Sequence, residues 1–514
     1  MTGSPTAVRA IAIYAVCLPL ALILGYLLAS PLEWSSFGTV GFVLVLLISP
    51  LLLRFHHAML VLGWNLTMIV FFIPSAPRVW LPLAFISFGI SIVRRAIDQR
   101  FRFISVPELT WPLLYIAFVV LVTAEATGGI KMRSMGGEVY GGKRYILLLG
   151  AIVGYFAMTA QRIPKEKAAL FMGMFLLSGM TSLIGDVLYI QSKALAWIFW
   201  FFPPNNTVEN SAGMVRFAGI NLSCYAICFY LMARHGVRGL FSLHHPWRCA
   251  VFVCFAMTGL LGGFRSNFIL LGLIFVFQFA FEGLHRTRLL PVLLVAMTLA
   301  GVVTLPFVRK LPYSMQRTLS ILPLDVDPVA RADADSTSDW RLEIWKAVLP
   351  QVPEYLILGK GLALTARDFD FSLSSITGTV HETSAGDSWA ALAGDYHNGP
   401  LSVMIPFGIW GAIGFLWFMV AGIGVLYRNM KYGDPDLRIC NAFLLSAFCG
   451  RMVLFFVVYG GFYTDIQYFV GYLAMGVCLN GRVLKPVKTL ADETTRPVTI
   501  PSPMPRPRSA FSRG

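Results

Sequence analysis

Runs of about 17 to 19 residues with almost no charge recur along this chain, as at 11–29, 37–53 and 291–308. That is the length of helix that crosses roughly 30 Å of hydrocarbon. Backbone groups inside lipid must be hydrogen-bonded within their own segment, so such runs are helices. Hydrophobic residues make up 57% of the 514 and charged residues 13%, where a soluble domain carries about a quarter charged. The excess apolar surface cannot be placed in one soluble core. The chain therefore reads as all-α: a polytopic transmembrane helix bundle of about twelve to fourteen spans, from 9–30 to 462–480, with one long external loop. The first block follows only Arg9 and has no small-residue cleavage site, so it reads as a retained span and not a removed signal peptide.

The net charge of +15 does not point to nucleic acid, because the basic residues lie scattered in short loops and form no aromatic-lined patch. Membrane topology accounts for them. With the N-terminus inside, the inside loops carry Arg54, Arg94, Arg95, Arg100, Arg102, Arg162, Lys165, Lys167, Arg234, Arg238, Arg248, Arg286, Arg288, Arg428, Lys431 and Arg438. With Arg9 these are seventeen, against eight in the short outside loops, the bias of the positive-inside rule. The segments are then 1–308, an N-terminal transmembrane bundle; 309–398, an external loop with a cap helix; 399–480, C-terminal transmembrane helices; and 481–514, a Pro- and Arg-rich cytoplasmic tail expected to be disordered.

Two of the fourteen expected spans, 36–53 and 57–74, are separated only by a short basic turn at Arg54. The eight cysteines lie in or beside apolar blocks without metal-site spacing and read as small hydrophobes. Within the long loop, apolar residues at Trp340, Ile344, Ala347 and Val348 repeat at helical spacing, and Gly359 and Gly361 mark an exit turn. Its acidic residues, Asp325, Asp327, Asp333, Asp335 and Asp339, show no calcium-loop pattern and read as a flexible stretch. No metal or cofactor motif is present.

Ionisable residues at membrane depth are costly and mark candidate functional positions; here Glu125, Asp186, Arg216, Arg265, Arg451 and Asp465 fall near the outer ends of spans. Buried structural ion pairs are the competing explanation. Arg216 precedes a span in the series Arg216, Gly219, Asn221. Arg265 and Ser266 stand at a Gly-rich break between two spans, and Arg341 lies on the loop helix one turn before Trp345. Three external arginines suit a polyanion such as a pyrophosphate, whose oxygens match the guanidinium fork. His397 precedes Asn398, Gly399 and Pro400, so Asn398 or Gly399 caps a helix and His397 sits at its mouth. The positive end of the helix dipole disfavours an imidazolium there.

The ordered set of Arg216 with Gly219 and Asn221, Arg265-Ser266, Arg341 with Trp345, Gly359 with Gly361, and His397-Asn398 opening a span resembles the O-antigen ligase and O-antigen polymerase superfamily over residues 145–480. The resemblance implies a metal-independent membrane glycosyltransferase of the bacterial inner membrane with its site on the periplasmic face. It implies a donor glycan on undecaprenyl pyrophosphate and a lipid or glycan acceptor, as in lipopolysaccharide assembly. By the same resemblance Arg265 and Arg341 hold the pyrophosphate and His397 activates the acceptor hydroxyl, while Arg216, Asn221, Ser266, Trp345 and Asn398 bind substrate. The chain departs from the family at Phe264, commonly a Ser, and at Pro400. A transporter or flippase shares the same composition, although no internal repeat relates the halves. A non-catalytic assembly component is a third reading. Ligase and polymerase are not separated by any acceptor motif.

Overall fold

The computed structural model describes residues 34–73, 75–127, 142–191, 193–204, 216–362 and 396–485, with positions 21 and 25. The expected first span, the outside loop near 131–141, the second part of the long loop and the tail beyond residue 485 lie outside the described residues. By its contacts the chain divides into Met1–Val483 and Leu484–Gly514; all that follows concerns the first.

The described helices are α1 (Trp34–Gly63), α2 (Trp80–Ile97), α3 (Pro107–Ala126), α4 (Gly142–Met158), α5 (Ala168–Leu177), α6 (Ser182–Gln191) and α7 (Ala218–Leu240). Then come α8 (Pro246–Gly259), α9 (Arg265–Phe281), α10 (Leu289–Thr304), α11 (Tyr313–Leu319), α12 (Pro328–Val348), α13 (Gly399–Tyr432), α14 (Arg438–Val453) and α15 (Phe462–Asn480). Among the described residues, six helical stretches are long and apolar enough to cross a membrane, including Trp80–Ile97, Pro107–Ala126 and Gly399–Tyr432, and shorter apolar helices lie at Pro246–Gly262, Arg265–Phe281 and Leu289–Val303. The all-α bundle is as expected.

The packing core joins α3, α4, α7, α9, α13, α14 and α15, and Phe415, Phe418, Phe448, Phe455, Phe462 and Phe469 interlock within it. Edge-to-face rings at these separations add stabilisation beyond their buried area. The outward side chains, such as Phe42, Leu53, Val303 and Val420, are apolar and exposed, as a lipid-facing surface requires. α15 is buried along nearly its whole length despite Asp465, Gln467 and Asn480. Its polar groups are satisfied inside the bundle: Gln467 donates to the Trp64 carbonyl at 2.7 Å, and Asn441 and Asn480 exchange amide bonds of 2.9 and 2.7 Å.

Two local expectations are corrected. The spans expected at 36–53 and 57–74 run together as α1, which is kinked at Phe55 and ends at Gly63; beyond it the chain turns back, with a bridge between Ile69 and Arg78. The acidic stretch expected to be flexible is the first half of α12. Asp327 caps it by accepting from the Val329 N–H, with Pro328 in the first turn, and Ala330 and Ala334 are fully buried. Two long helices also carry single-glycine breaks, α7 at Gly236 with φ 66° and α13 at Gly408 with φ 61°.

Each break is repaired by a neighbour, as helix breaks in a bundle must be. Glu282 accepts the Val237 and Arg238 N–H groups at 2.8 and 3.1 Å. At the α13 break the chain after α12 docks edge-on: Lys360 and Gly361 donate to the carbonyls of Ile405 and Pro406 at 2.8 and 2.9 Å, and Ile409 donates to Leu356 at 2.7 Å. Gly359 has φ 72°, and a Cβ there would overlap the Pro406 carbonyl oxygen. Gly359→Ala is therefore expected to lose about 1–2 kcal/mol from the left-handed backbone alone, with the overlap in addition. Gly272→Ala, whose Cβ meets open space, is expected to leave stability unchanged or slightly raised. Thermal unfolding of both variants in detergent checks this, and equal tolerance would mean that the segment does not depend on this docking.

Candidate active site

The site grows from the break between α8 and α9. Gly263 ends the first helix in the left-handed region at φ 75°, and α9 begins at Arg265 with no side-chain cap on its first turn. Uncapped N–H groups at a helix start favour an anion. Beneath the break, Asn221 is fully buried; it donates to the Gly259 carbonyl at 2.9 Å and accepts from Asn267 at 2.6 Å. Asn221 thus holds the two helices at the turn. Gly219 donates to the buried Asp186 at 2.7 Å, fixing the start of α7 just after Arg216. The Arg216 guanidinium lies 5.5 Å from the centre of the Phe264 ring, so the residue that departs from the family pattern forms the platform under this arginine.

The long connection is clamped onto the same break. Arg317 of α11, almost wholly buried, pairs with Asp333 of α12. It also donates to the Gly263 carbonyl at 2.7 Å and to Thr337 at 2.9 Å, and the Thr318 hydroxyl donates to the Leu260 carbonyl at 3.2 Å. Tyr313 donates to the Val329 carbonyl at 3.2 Å; burial, with Asp333 near, holds its phenol above the ordinary range, so it stays a donor. Arg265 completes the clamp, donating to the Ala334 carbonyl and, at 3.1 Å, to Ser338. That leaves α12 across the mouth of the break, and Ser338, to which Arg265 donates, stands one turn before Arg341 on that helix. Ser266 is half-buried in the first turn of α9.

α12 is fixed at its other end by Trp345, whose indole N–H donates to the Tyr396 carbonyl at 2.9 Å. Ile344, Trp345 and Val348 pack with Tyr396, Leu401 and Ile405. His397 follows in the left-handed region at φ 49°, a conformation uncommon for a residue with a side chain and one to which His is several-fold enriched. Asn398 caps α13 by accepting from Leu401 N at 3.1 Å, with Pro400 in the first turn. Pro400 thus suits the helix start it was placed at.

Arg341 and His397 meet at Tyr459. The Arg341 guanidinium is 5.4 Å from the centre of that ring, and the imidazole stacks on it at 5.1 Å and 29°. Arg216, Arg265, Arg341 and His397 therefore converge on one end of the bundle, while Asn221, Trp345 and Asn398 serve as the framework that aims them. Sequence reasoning did not find Tyr459 or Arg317. The diglycine after Tyr459, between two apolar blocks, was the available signal for the first. Arg144, counted from the sequence among the charges of the short outside loops, lies in α4 and is buried over the Tyr463 ring at 4.7 Å. Arg451 and Asp465 form an ion pair at 2.7 Å, the structural alternative weighed for them. Asp325 pairs with Arg309, and among the described residues no three His, Cys, Asp or Glu side chains gather as a metal site.

Fold and site define a multi-pass helical membrane protein whose long connection folds back to set arginines beside a histidine. Residues 250–416 match the family model described as O-antigen ligase, a stretch that holds Arg265, Arg317, Arg341, Trp345 and His397. The match supports the O-antigen ligase and polymerase superfamily already indicated by the motifs. No curated protein matches the chain.

Proposed function

We propose that the chain is a bacterial membrane glycosyltransferase that moves a glycan from undecaprenyl pyrophosphate onto an acceptor hydroxyl, with its site on the periplasmic face of the inner membrane. The observation that carries this reading is the meeting of Arg341 and His397 on one ring, with Arg265 bonded to Ser338 one turn before Arg341: a cationic seat for a leaving group next to a base. The bias of the basic loops supports the outside placement.

In the reaction the acceptor oxygen attacks the anomeric carbon of the donor sugar. His397 takes the hydroxyl proton as the new C–O bond forms. The bond from the anomeric carbon to the phosphate oxygen breaks, and undecaprenyl pyrophosphate departs with the electron pair. Its developing charge is met by Arg265 and Arg341, and Arg216 lies on the same side. Fixed donors aimed at charge that appears in the transition state supply large rate factors. α12 fences the head group on the side away from the bundle.

The test replaces fork by point charge. Lys keeps the charge of Arg265 or Arg341 and loses the paired donors. Each Arg→Lys variant is expected to insert at normal levels and to lose on the order of 10²-fold in transfer, scored as surface glycan restored to a strain lacking the chain. Near-normal transfer by both would reduce these arginines to structural charges and favour a transporter.

A further inference from the structure

Tyr459 stands in none of the sequence motifs and outside the matched residues 250–416, yet two groups assigned to the reaction close on its ring. Arg341 comes from α12, His397 from the mouth of α13, and Tyr459 from the turn between α14 and α15. Three separate segments meet at one side chain. A guanidinium 5.4 Å from the ring centre lies within the range of cation–π attraction, and an imidazole stacked at 5.1 Å and 29° has one face covered by the same ring.

The backbone beneath Tyr459 is held on several sides. Residues Leu454–Val458 form a π-helical turn, closed by Tyr459 N donating to the Leu454 carbonyl at 2.8 Å. Such turns recur at functional sites. On the far side Gly461 N donates to Asp465 at 2.9 Å and Phe462 N to Ser402 at 3.0 Å, and Asp465 is itself fixed by Arg451 at 2.7 Å. The buried ion pair of α14 and α15 thus sets the position of the Tyr459 turn.

We infer that Tyr459 is a positioning residue for transfer: its ring fixes the Arg341 guanidinium and the His397 imidazole relative to each other, so that donor pyrophosphate and acceptor hydroxyl are presented in register. This rests on the proposed glycan transfer. Their segments are joined one turn beyond Arg341 by the Trp345 bond to Tyr396, the ring makes the contact at the two reacting groups themselves, and a displacement of about 1 Å between reacting groups costs about 10²-fold in rate. The work is done by the face of the ring, so phenylalanine can do it and an aliphatic side chain cannot.

The test uses full-length variants, with transfer scored per folded chain in cells lacking the native protein and affinity measured for undecaprenyl pyrophosphate itself on protein in nanodiscs. Tyr459→Phe is expected to match the unaltered chain in both, and Tyr459→Leu to lose about 10²-fold in transfer and several-fold in lipid affinity. In the Arg341→Ala background Tyr459→Leu is expected to cost no further affinity, and in the His397→Ala background a smaller factor in transfer than it costs the native chain, since coupled residues are non-additive. Full additivity in both backgrounds overturns the inference. So does a well-folded Tyr459→Phe variant that has lost transfer, which decides the matter even if the leucine variant fails to fold. If His397→Ala retains full transfer, the base assignment falls, and the affinity cycle with Arg341 still decides whether Tyr459 holds the arginine.

Discussion

His397→Ala is expected to lower transfer by about 10² to 10⁴-fold, the usual contribution of a general base, while undecaprenyl pyrophosphate affinity and the amount of inserted protein stay close to normal. The residue lies at a helix mouth and its loss removes little packed area. A second substitution separates chemistry from structure. His397 has φ 49°, a region glycine enters at no steric cost, so His397→Gly relieves backbone strain on the order of 1 kcal/mol. If the residue only shapes the turn, the glycine variant is as active as the native chain and more stable. If it is the base, the glycine variant is stable and inactive. Transfer per folded chain, measured beside thermal unfolding, distinguishes the two.

Arg317→Met is expected to be among the most destabilising single changes in the described chain. Arg317 and Asp333 are 3% and 8% exposed, and removing one member of a buried pair leaves the other charge without compensation, at about 3–5 kcal/mol. The change also frees the Gly263 carbonyl and Thr337, loosening α12 from the break that carries Arg265. Arg317→Met combined with Asp333→Leu is expected to regain much of the stability, since paired apolar replacement of a buried ion pair is often near neutral. Transfer is not expected to return with it, because α12 is no longer tied to Gly263. Unfolding temperatures for the single and double variants check the first point. A double variant no more stable than the single would mean that the ion pair is not what holds α12.

The apolar blocks made the bundle legible, and the motifs at Arg216, Arg265 and His397 were legible because each stands where a polar residue interrupts an apolar run at a helix start. Less was legible where both surroundings are apolar. In a membrane a lipid-facing and a core-facing position both read as hydrophobic, so periodicity did not show that α15 is central or that α1 stops at Gly63. Breaks at Gly236 and Gly408 rest on one residue each and on partners far along the chain, Glu282 and Leu356. The acidic stretch looked flexible because its charges were visible while their partners were not: Arg317 for Asp333 and the α12 N–H groups for Asp327. Tyr459 was hidden for the same reason, since its role is defined by two residues on other segments.

The central claim is that this chain removes a glycan from a lipid pyrophosphate at a site where His397 is the base. It is tested most directly by mass spectrometry of the undecaprenyl-pyrophosphate-linked glycans in a strain lacking the chain, complemented with the native sequence or with His397→Ala. Glycan-loaded lipid should accumulate without the chain, be cleared by the native sequence, and persist with an equally abundant His397→Ala variant. Clearance by that variant at the native rate, or a lipid-linked pool that does not change when the chain is deleted, would contradict it.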